Sequence, residues 1–337
     1  IRKQDSTLRV ELKPFYEGNR YFLTTYRDFE DVRLVFALPK SMGKFGGETD
    51  NWMWPRQTCD FSFFRIYVDP KTGGPAKYSK DNVPYHPKKW APVSLQGYVP
   101  GSFSMTIGYP GSTSRYLSSY GIKERRDAQN EPMYKTREVK QNVMIRHMRA
   151  DEAVRIKYDS KYAQSSNYWK NSIGMNKCID SIGLIQQKAQ FEQKIRHYQD
   201  STGFLKGKLD FDKLASFYAK QFNAVKAFTY FSETFSGRNS DELTRRAYRA
   251  NNGSIVKGKD GKPKDWYIEF EDNSNEWDEA TDKEVQAAAM KFYREQVEEK
   301  YLPDFYQEVD SKFGGDYQKY IDYLYNKSKL MKNGKKI

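Results

Sequence analysis

Asp60, Asn51 and Trp52 lie within ten residues of one another in the stretch GGETDNWMWPRQTCDFSFFRIYVD, residues 46–69. Asn51 offers a side-chain carbonyl acceptor, and Trp52 a flat aromatic face with its backbone carbonyl. Asp60 stands at the head of an alternating apolar run. In a strand, Asp60, Ser62, Phe64 and Ile66 share one face, and Phe61, Phe63, Arg65 and Tyr67 the other. Both faces are largely apolar, which predicts a buried strand, and an acid at its mouth then needs hydrogen-bond partners. Two roles fit. The carboxylate can cap turn amides or pair with a neighbour such as Arg56, which its position alone favours; or it can orient a histidine in a Ser-His-Asp triad.

The remaining reactive side chains exclude several chemistries. Cys59 and Cys178 are far apart with no CxxC spacing, which argues against a zinc site or disulfide framework. His86, His147 and His197 are scattered with no HExxH pattern, so no metal is expected. His86 falls in a turn-rich connection, and the other two on helical patterns. No Gly-x-Ser-Gly nucleophile turn occurs. The formal charge is +13, but Lys and Arg are interleaved with Asp and Glu, as in KERRDAQNEPMYKTREVK. A nucleic-acid groove reader would segregate that charge, so no nucleic-acid partner is expected. No apolar run approaches the eighteen or so residues of a membrane span. The opening IRKQDSTLRV lacks Met and any apolar leader, so the chain reads as an internal piece of a longer protein.

The elements that must position these residues change in character along the chain. Ten of the thirteen prolines fall between Pro14 and Pro110. The short β-rich runs 31–39, 60–69 and 102–111, bounded by Gly, Pro and Asp, predict antiparallel strands. After Tyr116 the period becomes helical. Phe211, Leu214, Phe217, Tyr218, Phe222, Val225, Phe228 and Phe235 recur at three- and four-residue steps over 211–235, a stripe expected to be core. Thr281 and Glu284 have the spacing of a capping box opening another helix. The stretches 137–164 and 177–199 read as further long helices, and the Gly- and Lys-rich 251–273 as a loop or small hairpin. The expected fold class is β + α, a partial antiparallel β-barrel over 1–112 followed by a large all-α domain over 113–337.

The strings VRLVFALPKSMGKFGGETDNWMWPRQTCDFSFFRIY, PYHPKKWAPVSL, GYPGSTSRYL and SSNYWKNSIGMNK together resemble the bacterial serine dipeptidyl-peptidases of the dipeptidyl-peptidase 7 and 11 type, over roughly residues 25–175. DFSFFR also has the D-x-[AS]-x-x-[KR] look of the triad acid in two-barrel serine peptidases. The resemblance implies a trypsin-like barrel with an inserted helical domain covering the active-site cleft. It implies Asp60 as the triad acid, and Asn51, Trp52 and Asn167 as the groups that bind a substrate's free amino terminus. Oligopeptides with a free N-terminus are then the partners, with no metal or organic cofactor required. It further implies a periplasmic or cell-surface location and allows a homodimer.

By the same resemblance, the triad histidine precedes this region and the serine follows the helical domain. The chain alone is therefore expected to be inactive, and Ser112, at the end of the first barrel, is not the nucleophile. The sequence departs from the family where relatives read RHTGD, having Gln57 and Cys59 instead. Two other functions fit the composition: a non-enzymatic basic module binding nucleic acid or an acidic partner, and a trypsin-like endopeptidase with a helical insertion.

Overall fold

The computed structural model describes residues 8–16, 18–47, 49–53, 58–105, 107–108, 114–236, 240–251 and 277–331. Arg56, Gln57, Ser112 and the expected loop beyond residue 251 lie outside them. The chain divides into two compact units, one of Ile1–Asp50 with Pro55–Gly111, the other of Asn51–Trp54 with Ser112–Ile337. The four residues Asn51–Trp54 thus group with the helical unit, although both flanks belong to the first.

The first unit holds two small antiparallel sheets. Strands β1 (Leu8–Phe15) and β2 (Arg20–Arg27) form a hairpin in register from Leu8–Arg27 to Phe15–Arg20. Its turn holds both Tyr16 and Gly18 at positive φ. Strands β3 (Val32–Ala37), β4 (Ser62–Val68) and β5 (Val83–Pro84) form the second sheet in that order. Its edge is pinned by the buried Asp31 carboxylate, which accepts both arms of Arg33 at 2.9 and 2.8 Å and the Asn82 amide at 2.8 Å. The guanidinium holds Asp31 well below the ordinary carboxylate range, at about 2. A short helix α1 (Lys40–Gly43) follows β3.

Two expectations fail here. Strand β4 is not buried: Phe63 is 54% and Phe64 62% exposed, and Val68 alone of its side chains is buried. Two- and three-stranded sheets have too few neighbours to cover both faces of such a strand. The described part of 102–111 forms no strand, and Phe103 and Ile107 are exposed. β-propensity needs a partner ladder to act through.

The second unit is helical. Helix α2 (Ser119–Glu124) passes through a π-helical stretch, Arg125–Asn130, into α3 (Glu131–Ala150). Pro132, lacking an N–H, cannot bond the carbonyl four residues back, which accounts for the widened turn there. Helix α4 (Glu152–Ser181) begins afresh at Asp151, whose carboxylate accepts the Ala153 and Val154 amides. Gly183, at φ 60°, separates α4 from α5 (Leu184–Thr202). The two long helices expected over 137–164 and 177–199 are therefore each broken, at an N-cap aspartate and at a left-handed glycine.

Helix α6 spans Phe211–Phe235, the expected range. Its stripe is only partly core, since Phe217 and Phe228, three turns apart on one line, are 59% and 69% exposed. Helices α7 (Glu242–Asn251), α8 (Glu279–Gln296), α9 (Phe305–Phe313) and α10 (Tyr317–Lys327) complete the unit. The core joins Tyr230 of α6 to Met290 and Tyr293 of α8, Tyr306 and Val309 of α9, and Tyr320, Ile321 and Tyr325 of α10. Its buried hydroxyls find partners, as from Tyr306 to the Met290 carbonyl at 2.8 Å and from Tyr293 to the Tyr301 carbonyl at 2.8 Å. Helix α8 is capped by Asp278, which accepts the Thr281 amide and hydroxyl, so Thr281 lies inside the helix and is not its cap. Glu284 pairs instead with Arg146 and His147 of α3.

Asp241 and Asp282 are buried with their Oδ2 atoms 3.0 and 2.7 Å from the Tyr325 hydroxyl. One hydroxyl proton cannot serve both, so the two carboxyl oxygens compete for it. Arg245 and Lys140 also act on the pair, and the Glu242 amide donates to Asp282 at 2.7 Å. Burial raises both carboxyls, and burial together with the charge of Asp241 pushes Asp282 up to about 6. A carboxyl raised in the folded state binds its proton longer than the unfolded chain does. Its contribution is therefore fully present below the usual carboxylate pKa and is lost as pH rises through about 6. Denaturant unfolding is expected to show stability falling by on the order of 2–3 kcal/mol between pH 4 and 7 from this pair. Asp282→Asn should flatten that slope; an unchanged slope would assign the titration elsewhere.

Candidate active site

Among the described residues nothing donates to the Asp60 carboxylate, which is exposed two residues before β4. Its neighbourhood is set by α1. The Cys59 amide donates to the Gly43 carbonyl at 3.2 Å, and a Cβ on Gly43 would stand 4.0 Å from Asp60 Oδ1. The buried end of α1 thus holds the backbone that presents the acid, and Arg56, the alternative ion-pair partner, lies outside the described residues. Cys59 is an exposed free thiol.

The preceding loop is built on tight turns, with the Gly47 amide on the Lys44 carbonyl at 3.0 Å and the Asp50 amide on the Gly46 carbonyl at 3.2 Å. A Cβ on Gly46 would collide with the Asp50 carboxylate. Within the helical unit, Asn51 Nδ2 donates to Asn167 Oδ1 at 3.1 Å, and Trp52 Nε1 donates to the same oxygen at 2.9 Å. Trp52 holds φ 58°, a left-handed conformation unusual for a bulky residue, with its side chain about half exposed. Asn167 projects from the middle of α4. Two more bonds fix that turn of α4 against α3: Gln141 Nε2 to Ser165 Oγ at 3.0 Å, and Arg137 Nη1 to the Ser165 carbonyl at 3.5 Å.

The structure therefore brings Asn51, Trp52 and Asn167 together in the second unit and places Asp60 in the first. The three histidines lie elsewhere: His86 and His197 are exposed, and His147 Nε2 is 2.6 Å from Glu284 Oε2. Among the described residues no three His, Cys, Asp or Glu side chains converge as metal ligands, and no helix is long and apolar enough to cross a membrane. Sequence reasoning gave Trp52 a ring face and a carbonyl but overlooked its indole N–H, a donor that must find an acceptor.

The chain belongs to the peptidase S46 family, whose model matches residues 1–336. It is 43% identical over 329 residues to dipeptidyl-peptidase 7 of Porphyromonas gingivalis, covering 94% of this chain and 44% of that protein. It is 35% identical over 329 residues to the Asp/Glu-specific dipeptidyl-peptidase of the same organism, covering 95% of this chain and 45% of that one. The crystal structure of Porphyromonas endodontalis DPP11 in complex with the dipeptide Arg-Glu superposes with a TM-score of 0.81 at 30% identity, covering 98% of this chain and 48% of the other. The chain thus spans less than half the length of these relatives. Its mixed β and α composition agrees with that fold.

Proposed function

We propose that the full-length protein is a serine-type exopeptidase that releases dipeptides from the free N-termini of oligopeptides. The observation that carries this is the Asn51–Trp52–Asn167 cluster: its bonds leave Asn51 Oδ1 without a donor among the described residues. An amide oxygen held in this way, together with the backbone carbonyl of Trp52, suits a substrate ammonium group. A fixed ammonium site measures two residues to the scissile bond. The names of the relatives, dipeptidyl-peptidase 7 and Asp/Glu-specific dipeptidyl-peptidase, support the same count.

In the chemical step, the Asp60 carboxylate accepts the Nδ1 proton of the catalytic histidine and holds the ring so that Nε2 faces the serine hydroxyl. The histidine takes the hydroxyl proton as the oxygen attacks the carbonyl of the second residue, then gives it to the departing amine. Water attacks the resulting ester by the same proton route and releases the dipeptide. The resemblance further supports activity in the periplasm or at the cell surface.

The test uses dipeptidyl fluorogenic substrates with a free or an N-acetylated amino terminus, assayed on the full-length protein. Asn51→Ala is expected to lower kcat/KM on the free-amine substrate by about ten- to a hundredfold, the worth of a hydrogen bond to a charged group, and to affect the acetylated one far less. Equal losses on both would favour an endopeptidase with no amino-terminal anchor.

A further inference from the structure

The bonds around Asn167 contain an orientation problem. A side-chain amide presents an oxygen on one side and an NH2 on the other, and two facing amides pair equally well in either of two polarities. In one, Asn51 donates and its oxygen points away. In the other, Asn167 donates and the oxygen of Asn51 is turned towards it. Only the first turns that oxygen away from Asn167, towards an incoming ammonium group.

The indole removes the ambiguity. Trp52 Nε1 carries a proton and accepts nothing, so the Asn167 atom 2.9 Å from it must be Oδ1. With that oxygen fixed, the Asn51 atom 3.1 Å away must be Nδ2, since two oxygens at that distance would repel. The neighbouring residue Trp52 thereby sets which end of Asn51 faces outward. The same bond ties down a residue held at φ 58° whose ring is half exposed, so little packing is available to hold that conformation.

We infer that Trp52 is a positioning residue: its indole N–H fixes the polarity of the Asn51–Asn167 amide pair and holds the left-handed turn, and so creates the acceptor for the substrate's amino terminus. The inference rests on the exopeptidase function proposed above. It makes the selectivity for a free N-terminus depend on an atom that need not touch the substrate.

Trp52→Phe keeps an aromatic ring and the backbone carbonyl but removes the donor. In the full-length protein, the ratio of kcat/KM for free over N-acetylated dipeptidyl substrate is expected to fall by about three- to tenfold, chiefly through KM, because the acceptor-outward state becomes one of several populated ones. Asn167→Asp supplies the control. A carboxylate has an acceptor on both sides, so it orders Asn51 without help from the indole. Asn167→Asp should therefore raise the ratio by a larger factor in the Trp52→Phe background than in the presence of Trp52.

Each outcome is decisive. Should the unsubstituted protein fail to distinguish free from acetylated substrates, the exopeptidase function itself is wrong. Should it distinguish them while Trp52→Phe, with an unchanged unfolding transition, retains the full ratio, the directing role of the indole is wrong. An equal rise from Asn167→Asp in both backgrounds would show the effect of an added charge and also overturn the directing role.

Discussion

Asp60→Asn in the full-length protein is expected to lower turnover by about four orders of magnitude while leaving the fold intact. The carboxylate is exposed and receives no bond from any described residue, so its loss breaks no cap or ion pair among them. On the proposed mechanism, the damage falls on the histidine. An asparagine in the same place can present its NH2 to the ring, which stabilises the tautomer whose proton faces the serine and leaves the histidine unable to act as a base. It also removes the negative charge that supports the imidazolium during attack. Steady-state assays beside a thermal melt make the measurement. Turnover within tenfold of the unsubstituted protein would remove Asp60 from the machinery and return it to the role of a loop carboxylate.

The second large effect concerns stability. Arg137 of α3 meets Glu233 of α6 in a two-pronged ion pair, at 2.8 and 3.2 Å, with side chains 8% and 5% exposed. Beside it the buried Lys140 donates to the Glu233 carbonyl at 3.0 Å, and burial lowers that ammonium to about 8. Glu233→Ala leaves two cations in a place that water reaches poorly, and is expected to cost about 3–5 kcal/mol. For a unit of this size the melting temperature should drop by roughly 10 °C or more. The double substitution Arg137→Met with Glu233→Leu should recover part of that loss, because it removes both members of the desolvated pair and leaves Lys140 its bond to the main-chain carbonyl of residue 233. A Glu233→Ala protein as stable as the parent would mean that the pair is not desolvated in solution. Since Arg137 also bonds the Ser165 carbonyl, two residues before Asn167, the same substitution should loosen the turn of α4 that carries the amide cluster.

Those residues also show what a sequence can disclose. Strands β3 and β4 and the whole of α6 follow from alternation and from the three- and four-residue recurrence of apolar side chains, because each period is imposed by one local geometry. Hairpin β1–β2 escaped because its faces are mostly exposed and so carry no clean alternation. The breaks at Asp151 and Gly183 were hidden in helical composition; a cap is a single side chain, and a left-handed glycine a single residue. The strand expected over 102–111 illustrates the opposite error, in which propensity was present without a neighbour to pair with. At the site, the string around Asn51 and Asp60 was legible through its family resemblance. The orientation of Asn51 was not, because it depends on a contact 116 residues away in the chain.

That long separation bears on when the protein becomes competent. A ribosome delivers Asn51 and Trp52 well before Asn167, and at about 5–20 residues per second the separation of 116 positions corresponds to on the order of ten seconds of synthesis. Until α4 has emerged and docked, the loop has neither the acceptor for its indole nor the partner for its amide. The nascent chain can therefore display Asp60 and the whole GGETDNW loop without an ordered grip on an amino terminus. On the proposed function, recognition waits for α4, so a chain stalled before that helix carries the recognition string but no working anchor.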